Sequence, residues 1–161
     1  MVRSATTADI DRLAQVWYDA WCDAHALLVP ADLVRLRTRE SFHQRIEAAL
    51  DQYRVVGPVG APAGLCVIKD DELHQLFVAA IARGSGVAAE LLADGEERLA
   101  ATGVTTAWLA CAIGNDRAAR FYEKHDWHRV GTVTNRLETP GGEYLLDVWR
   151  YEKALTPNDR A

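Results

Sequence analysis

Apolar positions along the chain change their period several times, and each change predicts a new element. Residues 2–5 read as a short strand. Thr7 then precedes Ala8-Asp9-Ile10-Asp11, a helix start with a cap and early acidic residues. Ile10, Leu13, Ala14, Trp17 and Trp21 recur at helical spacing as far as about Cys22. Residues 24–31 contain Pro30 and predict a connection, and Leu33, Leu36, Phe42, Ile46 and Leu50 predict a second helical region. Residues 53–59 and 63–68 are strand-like runs with Gly60-Ala61-Pro62 as the turn between them. Lys69-Asp70-Asp71 turns the chain again into a strand over residues 72–78.

The second half has a different rhythm. Val87, Leu91, Leu92 and Leu99 predict a helix that ends near Gly103, and residues 104–110 form an apolar run suited to a buried strand. Residues 115–124 predict a short helix with Asn115 as its cap. Strands over 127–134 and 143–151 are joined through Pro140-Gly141-Gly142, and residues 155–161 read as a flexible tail. Antiparallel hairpins come first, and one strand–helix–strand crossover follows. Such a crossover requires a parallel strand pair. The expected fold is α/β, a single domain over residues 1–154 with a mixed, mostly antiparallel sheet and helices on both faces.

Bulk properties narrow the function only a little. With 161 residues, 49% of them apolar and 25% charged, the chain is long enough for a core of its own. Its net charge of −5 and the lack of a basic stripe argue against a nucleic-acid partner. Cys22, Cys66 and Cys111 are odd in number and lack metal spacing, so reduced thiols are expected, with Cys111 a small core residue. His43, His125 and His128 show no ligand spacing either, and no metal is expected. No signal peptide or membrane-length apolar run is visible, which predicts a cytoplasmic protein.

Chemistry concentrates in Arg83-Gly84-Ser85-Gly86-Val87-Ala88, between a predicted strand and a predicted helix. Glycines there let backbone N–H groups converge, and the helix opening near Gly86 adds its positive end, so the segment suits a phosphate or pyrophosphate. Gly84 to Ala89 also fits the dinucleotide pattern G-x-G-x-x-A. However, residues 79–83 separate it from the strand where that fold needs a tight turn, and residues 104–110 end without an acidic ribose ligand. The Lys-Ser/Thr ending of a phosphate-hydrolysing loop is missing.

Two segments in order carry a family resemblance. Leu76-Phe77-Val78, then Arg83 to Ala88 and Leu91-Leu92, resembles the R/Q-x-x-G-x-G/A signature of the GNAT superfamily of acyl-CoA-dependent N-acyltransferases. Asn115-Asp116-Arg117-Ala118-Ala119-Arg120-Phe121-Tyr122-Glu123-Lys124 resembles that family's N-x-x-A-x-x-F-Y-E-K helix. Ala80 stands where the family often has proline, and Asp126-Trp127 where it often has Gly-Phe. Asp126 is expected to accept the left-handed turn, and Trp127 to keep the aromatic plug.

The resemblance implies a splayed central parallel strand pair, acetyl-CoA as co-substrate, and direct acetyl transfer to a primary amine in a ternary complex. It implies that Arg83, Gly84, Ser85, Gly86, Val87 and Ala88 hold the pyrophosphate through main-chain N–H groups. Phe77 and Val78 would pair with the pantetheine arm, Val78 N–H would meet the oxyanion, and Tyr122 would be the general acid. Asn115 either binds the arm or only caps its helix. Glu72 and His74 share a strand face and are the candidate bases, with Asp23 and His25 behind them. Trp17, Trp21 and Tyr18 offer an aromatic wall. Those aromatics and the mild acidity lean the acceptor, a small molecule or a peptide amine, toward a small cationic amine. No membrane partner is expected. A homodimer through the C-terminal strands stays open, as does an acyl-CoA-binding or sensing module without catalysis.

Overall fold

In the computed structural model, which describes residues 1–156, the chain begins with β1 (Val2–Ser4) and α1 (Ile10–His25). Next come α2 (Ala31–Leu36), α3 (Arg39–Ala48), β2 (Arg54–Val56), β3 (Gly64–Lys69) and β4 (Glu72–Val78). The second half is α4 (Val87–Ala101), β5 (Thr106–Ala112), α5 (Asp116–Lys124), β6 (His128–Thr139) and β7 (Gly142–Ala154). Seven strands form one sheet in the order β1-β2-β3-β4-β5-β7-β6. Only β4 and β5 run parallel; the other neighbours are antiparallel. Most of the expected tail, residues 157–161, lies outside the described residues, while Leu155 N–H donates to Thr105 O at 2.8 Å.

Several boundaries differ from the sequence reading, each for a local reason. The first helical turn starts from Thr6, not Thr7, because the Asp9 carboxylate accepts the Thr6 N–H at 2.8 Å. Asp9 is fully buried, and it also takes two hydrogen bonds from Arg3, at 2.8 and 2.9 Å, and the Gly60 N–H at 2.9 Å. One carboxylate thus ties β1, the start of α1 and the turn after β2. The second helical region is two helices, because the chain breaks at Arg37 and Thr38 caps α3 by accepting the Ser41 N–H at 3.0 Å. β2 stops at Val56, where Gly57 takes φ +114. β5 starts at Thr106 rather than Val104, since the chain first turns back from α4 through a Val104 N–H to Leu99 O bond of 3.2 Å, and it runs on to Ala112.

The two faces of the sheet carry separate cores. Leu91, Leu92 and Leu99 of α4 meet Cys66, Leu73, Leu109 and Tyr151 on one face. Leu13, Ala14, Trp17 and Phe42 from α1 and α3 meet Val55, Leu65 and Val67 on the other. Gly95 lets α4 lie close to the sheet: a Cβ there would stand 2.9 Å from Leu73 Cδ1 and 3.2 Å from Cys66 Sγ. Asp126 takes φ +69, and Trp127 behind it is fully buried with its indole N–H donating to Glu96 at 2.9 Å. Both expectations for that turn hold.

Candidate active site

The parallel pair opens almost as soon as it forms. Only Glu72 and Trp108 are in register between β4 and β5. β5 instead spends its whole length on β7, from Thr106 opposite Ala154 to Ala112 opposite Val148. The expected splay is therefore present. β4 stays on β3, but the register slips between Val67, opposite Gln75, and Ile68, opposite Leu73. His74 is the extra residue, so the strand bulges at the mouth of the opening. Ala79 N–H donates to Ala63 O at 2.8 Å. By strand alternation the main chain of Phe77 also faces β3, whereas the amides of Leu76 and Val78 face the opening. This revises the expectation for Phe77: its ring lines the opening, but its own amide is spent inside the sheet.

A cavity of about 520 Å³ occupies the wide end of the opening. Leu76, Phe77 and Val78 line it on one side, Arg83, Gly84, Gly86, Val87 and Ala88 at its end, and Asn115, Phe121 and Tyr122 opposite. Gly84 and Gly86 have φ +77 and +88, and a Cβ on either would project into open space. Two of the expected N–H donors are used within the turn: Arg83 N–H goes to Ala80 O at 3.2 Å and Ser85 N–H to Ala82 O at 3.3 Å. The Ser85 hydroxyl also turns back onto Ala82 O. Gly84, Gly86 and the first-turn amides of α4 at Val87 and Ala88 are left to face the cavity. The Arg83 guanidinium is engaged by Asp23 of α1, which also lies 3.5 Å from Arg117. Both arginines hold the Asp23 carboxyl below its usual range. Asp23 is thus engaged by two arginines that line this cavity, while lining neither this cavity nor the smaller cleft itself.

A smaller cleft of about 160 Å³ lies between β4, α1 and the β6–β7 hairpin. Glu72 and His74 both line it. The Glu72 residue is only 9% exposed, and His74 Nδ1 sits 3.3 Å from its carboxylate without hydrogen-bond alignment. Trp17 and Trp21 line it as well, and so serve both core and cleft, whereas Tyr18 packs away on Phe42. His25 stands against Trp21 and Phe77, with Nδ1 3.2 Å from Trp21 O. Burial lowers His25 to about 4, so its ring is neutral at pH 7. Arg37 and Arg45 also line the cleft; neither stood out in the sequence. The cap signal Thr38-x-x-Ser41, which breaks the helix and turns Arg37 inward, was there to be read.

Tyr122 joins the two spaces. It lines both, as do Asn115, Ala118, Leu76 and Phe77. Burial pushes its phenol well above the ordinary value, with the Cys111 and Cys66 thiols adding to the effect, so the hydroxyl stays protonated. Asn115 accepts the Ala118 N–H at 3.3 Å and caps α5 while facing both spaces. Cys111 and Cys66 are free and buried, and burial raises their thiols to about 11 and about 12. Neither is a thiolate at neutral pH.

A mixed sheet parted at its one parallel pair, with a glycine-rich turn opening a helix at the wide end, is the architecture of the N-acetyltransferases. The model of the acetyltransferase (GNAT) family matches residues 13–127, and the chain belongs to that family. Solved structures share the fold. An N-acetyltransferase from Staphylococcus aureus Mu50 superposes with a TM-score of 0.72 at 22% identity, covering 97% of this chain and 98% of that one. An N-acetyltransferase from Thermoplasma acidophilum in complex with coenzyme A gives 0.66 at 18%, covering 96% and 98%. A Salmonella typhimurium protein with its cofactor acetyl-CoA gives 0.69 at 16%, covering 100% and 96%. No curated protein matches the chain. Among the described residues, no helix is long and apolar enough to cross a membrane.

Proposed function

We propose that the chain transfers an acetyl group from acetyl-CoA directly to a primary amine held in the smaller cleft. The observation that carries this reading is the meeting of two spaces of unequal size, about 520 and 160 Å³, at one partly buried, protonated phenol. The larger space suits acetyl-CoA. Gly84, Gly86, Val87 and Ala88 offer unspent amides and a helix N-terminus to a pyrophosphate. The Leu76 and Val78 main chain offers strand-like pairing to the pantetheine amides. The solved relatives carrying coenzyme A and acetyl-CoA support the same use of the fold.

The chemistry follows from what each group can do. An ammonium must lose a proton before its nitrogen can attack, and the Glu72–His74 pair lies in the cleft to take it. The amine nitrogen then bonds to the thioester carbon, and the oxyanion meets the Val78 N–H. The carbon–sulfur bond breaks, the leaving sulfur takes the Tyr122 proton, and the phenolate regains a proton as the acylated nitrogen sheds one. Neither buried thiol is needed, so no acyl-enzyme forms. The measurement is release of free CoA from acetyl-CoA across an amine panel. Tyr122→Phe should lower kcat about 100-fold while the acetyl-CoA Kd stays within about two-fold. Equal turnover in the variant would remove the acid role. Binding of acetyl-CoA without turnover on any amine would favour a sensing module.

A further inference from the structure

The smaller cleft is positively charged although the whole chain carries −5. Its charged lining holds two guanidinium groups, Arg37 and Arg45, against one carboxylate, Glu72. Arg37 is 5% exposed, and the one hydrogen bond of its guanidinium among the described residues goes to a neutral acceptor, Glu138 O, at 2.8 Å. Arg45 is stacked on Trp17 with its guanidinium carbon 4.5 Å from the ring centroid. No carboxylate lies within 4 Å of either guanidinium among the described residues. The exposed Glu138 side chain acts on both only from a longer range. Burial lowers both arginines, Arg37 to about 10, and Arg45 weighs further on Arg37, as two like charges facing one space must. Trp17, the ring on which Arg45 stacks, lines the same wall, and its indole N–H is buried with no partner among the described residues.

A buried charge without a counterion is costly, and the cost is recovered when a ligand supplies the opposite charge. We propose that the acceptor is a small amino acid, with its amine at Glu72 and His74 and its carboxylate at Arg37 and Arg45. This rests on the acetyltransfer reading and narrows its acceptor. Two guanidinium forks match the oxygens of a planar carboxylate. A purely cationic acceptor, which the overall acidity suggested, would instead bring its charge to two unpaired guanidinium groups. The cleft volume of about 160 Å³ suits a small molecule rather than a long polyamine.

The test compares acids with their amides on the full chain. Glycine, β-alanine and 4-aminobutyrate, each beside its carboxamide, are titrated while the indole N–H resonances are followed by NMR, with and without bound CoA. At least one acid should bind about ten-fold more tightly than its amide and shift the Trp17 indole signal. Arg45→Gln should bring acid and amide within about two-fold of each other, whereas Arg45→Lys, which keeps the charge, should retain part of the preference. Equal binding of every acid and amide on the unaltered chain overturns the proposal, whatever the variants do. So does a preference unchanged in Arg45→Gln. Tighter binding of 2-aminoethylphosphonate than of any acid would replace the carboxylate by a phosphate-like anion and equally overturn it. Acetyl-CoA binding is measured separately by calorimetry: its absence sinks the acetyltransfer reading, while its presence with no acid preference sinks only the amino-acid assignment.

Discussion

The two spaces that meet at Tyr122 are built from different materials. The larger one owes much of its lining to alanine and glycine, drawn from two nearby stretches, residues 76–89 and 115–125, with α1 contributing Ala20 and Ala24. The smaller one is made of side chains gathered from Trp17 to Val148, contributed by both faces of the sheet and by the β6–β7 hairpin. A backbone amide is the same whatever residue bears it, so the first kind of site tolerates change in its side chains and depends on chain geometry. The second kind changes its ligand with each substitution. One fold can therefore keep its acyl donor and vary its acceptor.

That contrast can be broken experimentally, most sharply at the glycine turn. Gly86→Asp places a side chain and a negative charge into the open end of the larger cavity, at a residue whose φ of +88 a Cβ strains. Acetyl-CoA affinity should fall about 100-fold or more by calorimetry, with the near-ultraviolet spectrum of the buried tryptophans unchanged. Normal affinity would end the main-chain account of this side.

A smaller effect belongs to the smaller cleft, which His25 lines, and to pH. His25 lies at about 4 in the folded chain against an ordinary 6.5. Between those values the unfolded chain binds the extra proton, so stability is complete above pH 6.5 and is lost as pH falls toward 4. Urea unfolding at pH 7.5 and 5 should differ by about 1–2 kcal/mol from this ring, and His25→Gln should remove that part of the difference. An unaltered pH response in the variant would mean that the ring is not held neutral by burial.

The smallest effects are expected from side chains at the mouth of the main-chain site. Arg83→Ala should weaken acetyl-CoA only about three-fold, because its guanidinium is half-exposed and already engaged by Asp23. Asp23→Asn should strengthen binding by a similar factor at low salt, since it frees Arg83 and Arg117 for phosphate. If Arg83→Ala matched Gly86→Asp, the distinction between the two sides would fail.

The same distinction explains what could be read in advance. The turn from Arg83 to Ala88 and the Asn115–Tyr122 segment were legible because backbone conformation is written locally, in glycines, caps and period changes. Even there, the spending of the Arg83 and Ser85 amides inside the turn was not legible, since it depends on where Ala80 and Ala82 point their carbonyls. The bulge at His74 shows another limit: Glu72 and His74 do line one cleft, as a period-two reading expects, but nothing local to them reveals that pairing with β3 leaves His74 as an extra residue.

The chain by itself therefore determined the order of its elements, the need for one parallel pair, and the place where an anion would meet free amides, because each depends on neighbours in sequence. Tertiary structure decided which charges face the smaller cleft. Arg37 arrives there from a helix break, Arg45 from the next helix and Glu72 from the sheet, and their encounter has no local signature. A buried charge acquires its meaning from what surrounds it, and those surroundings exist only once distant segments have packed.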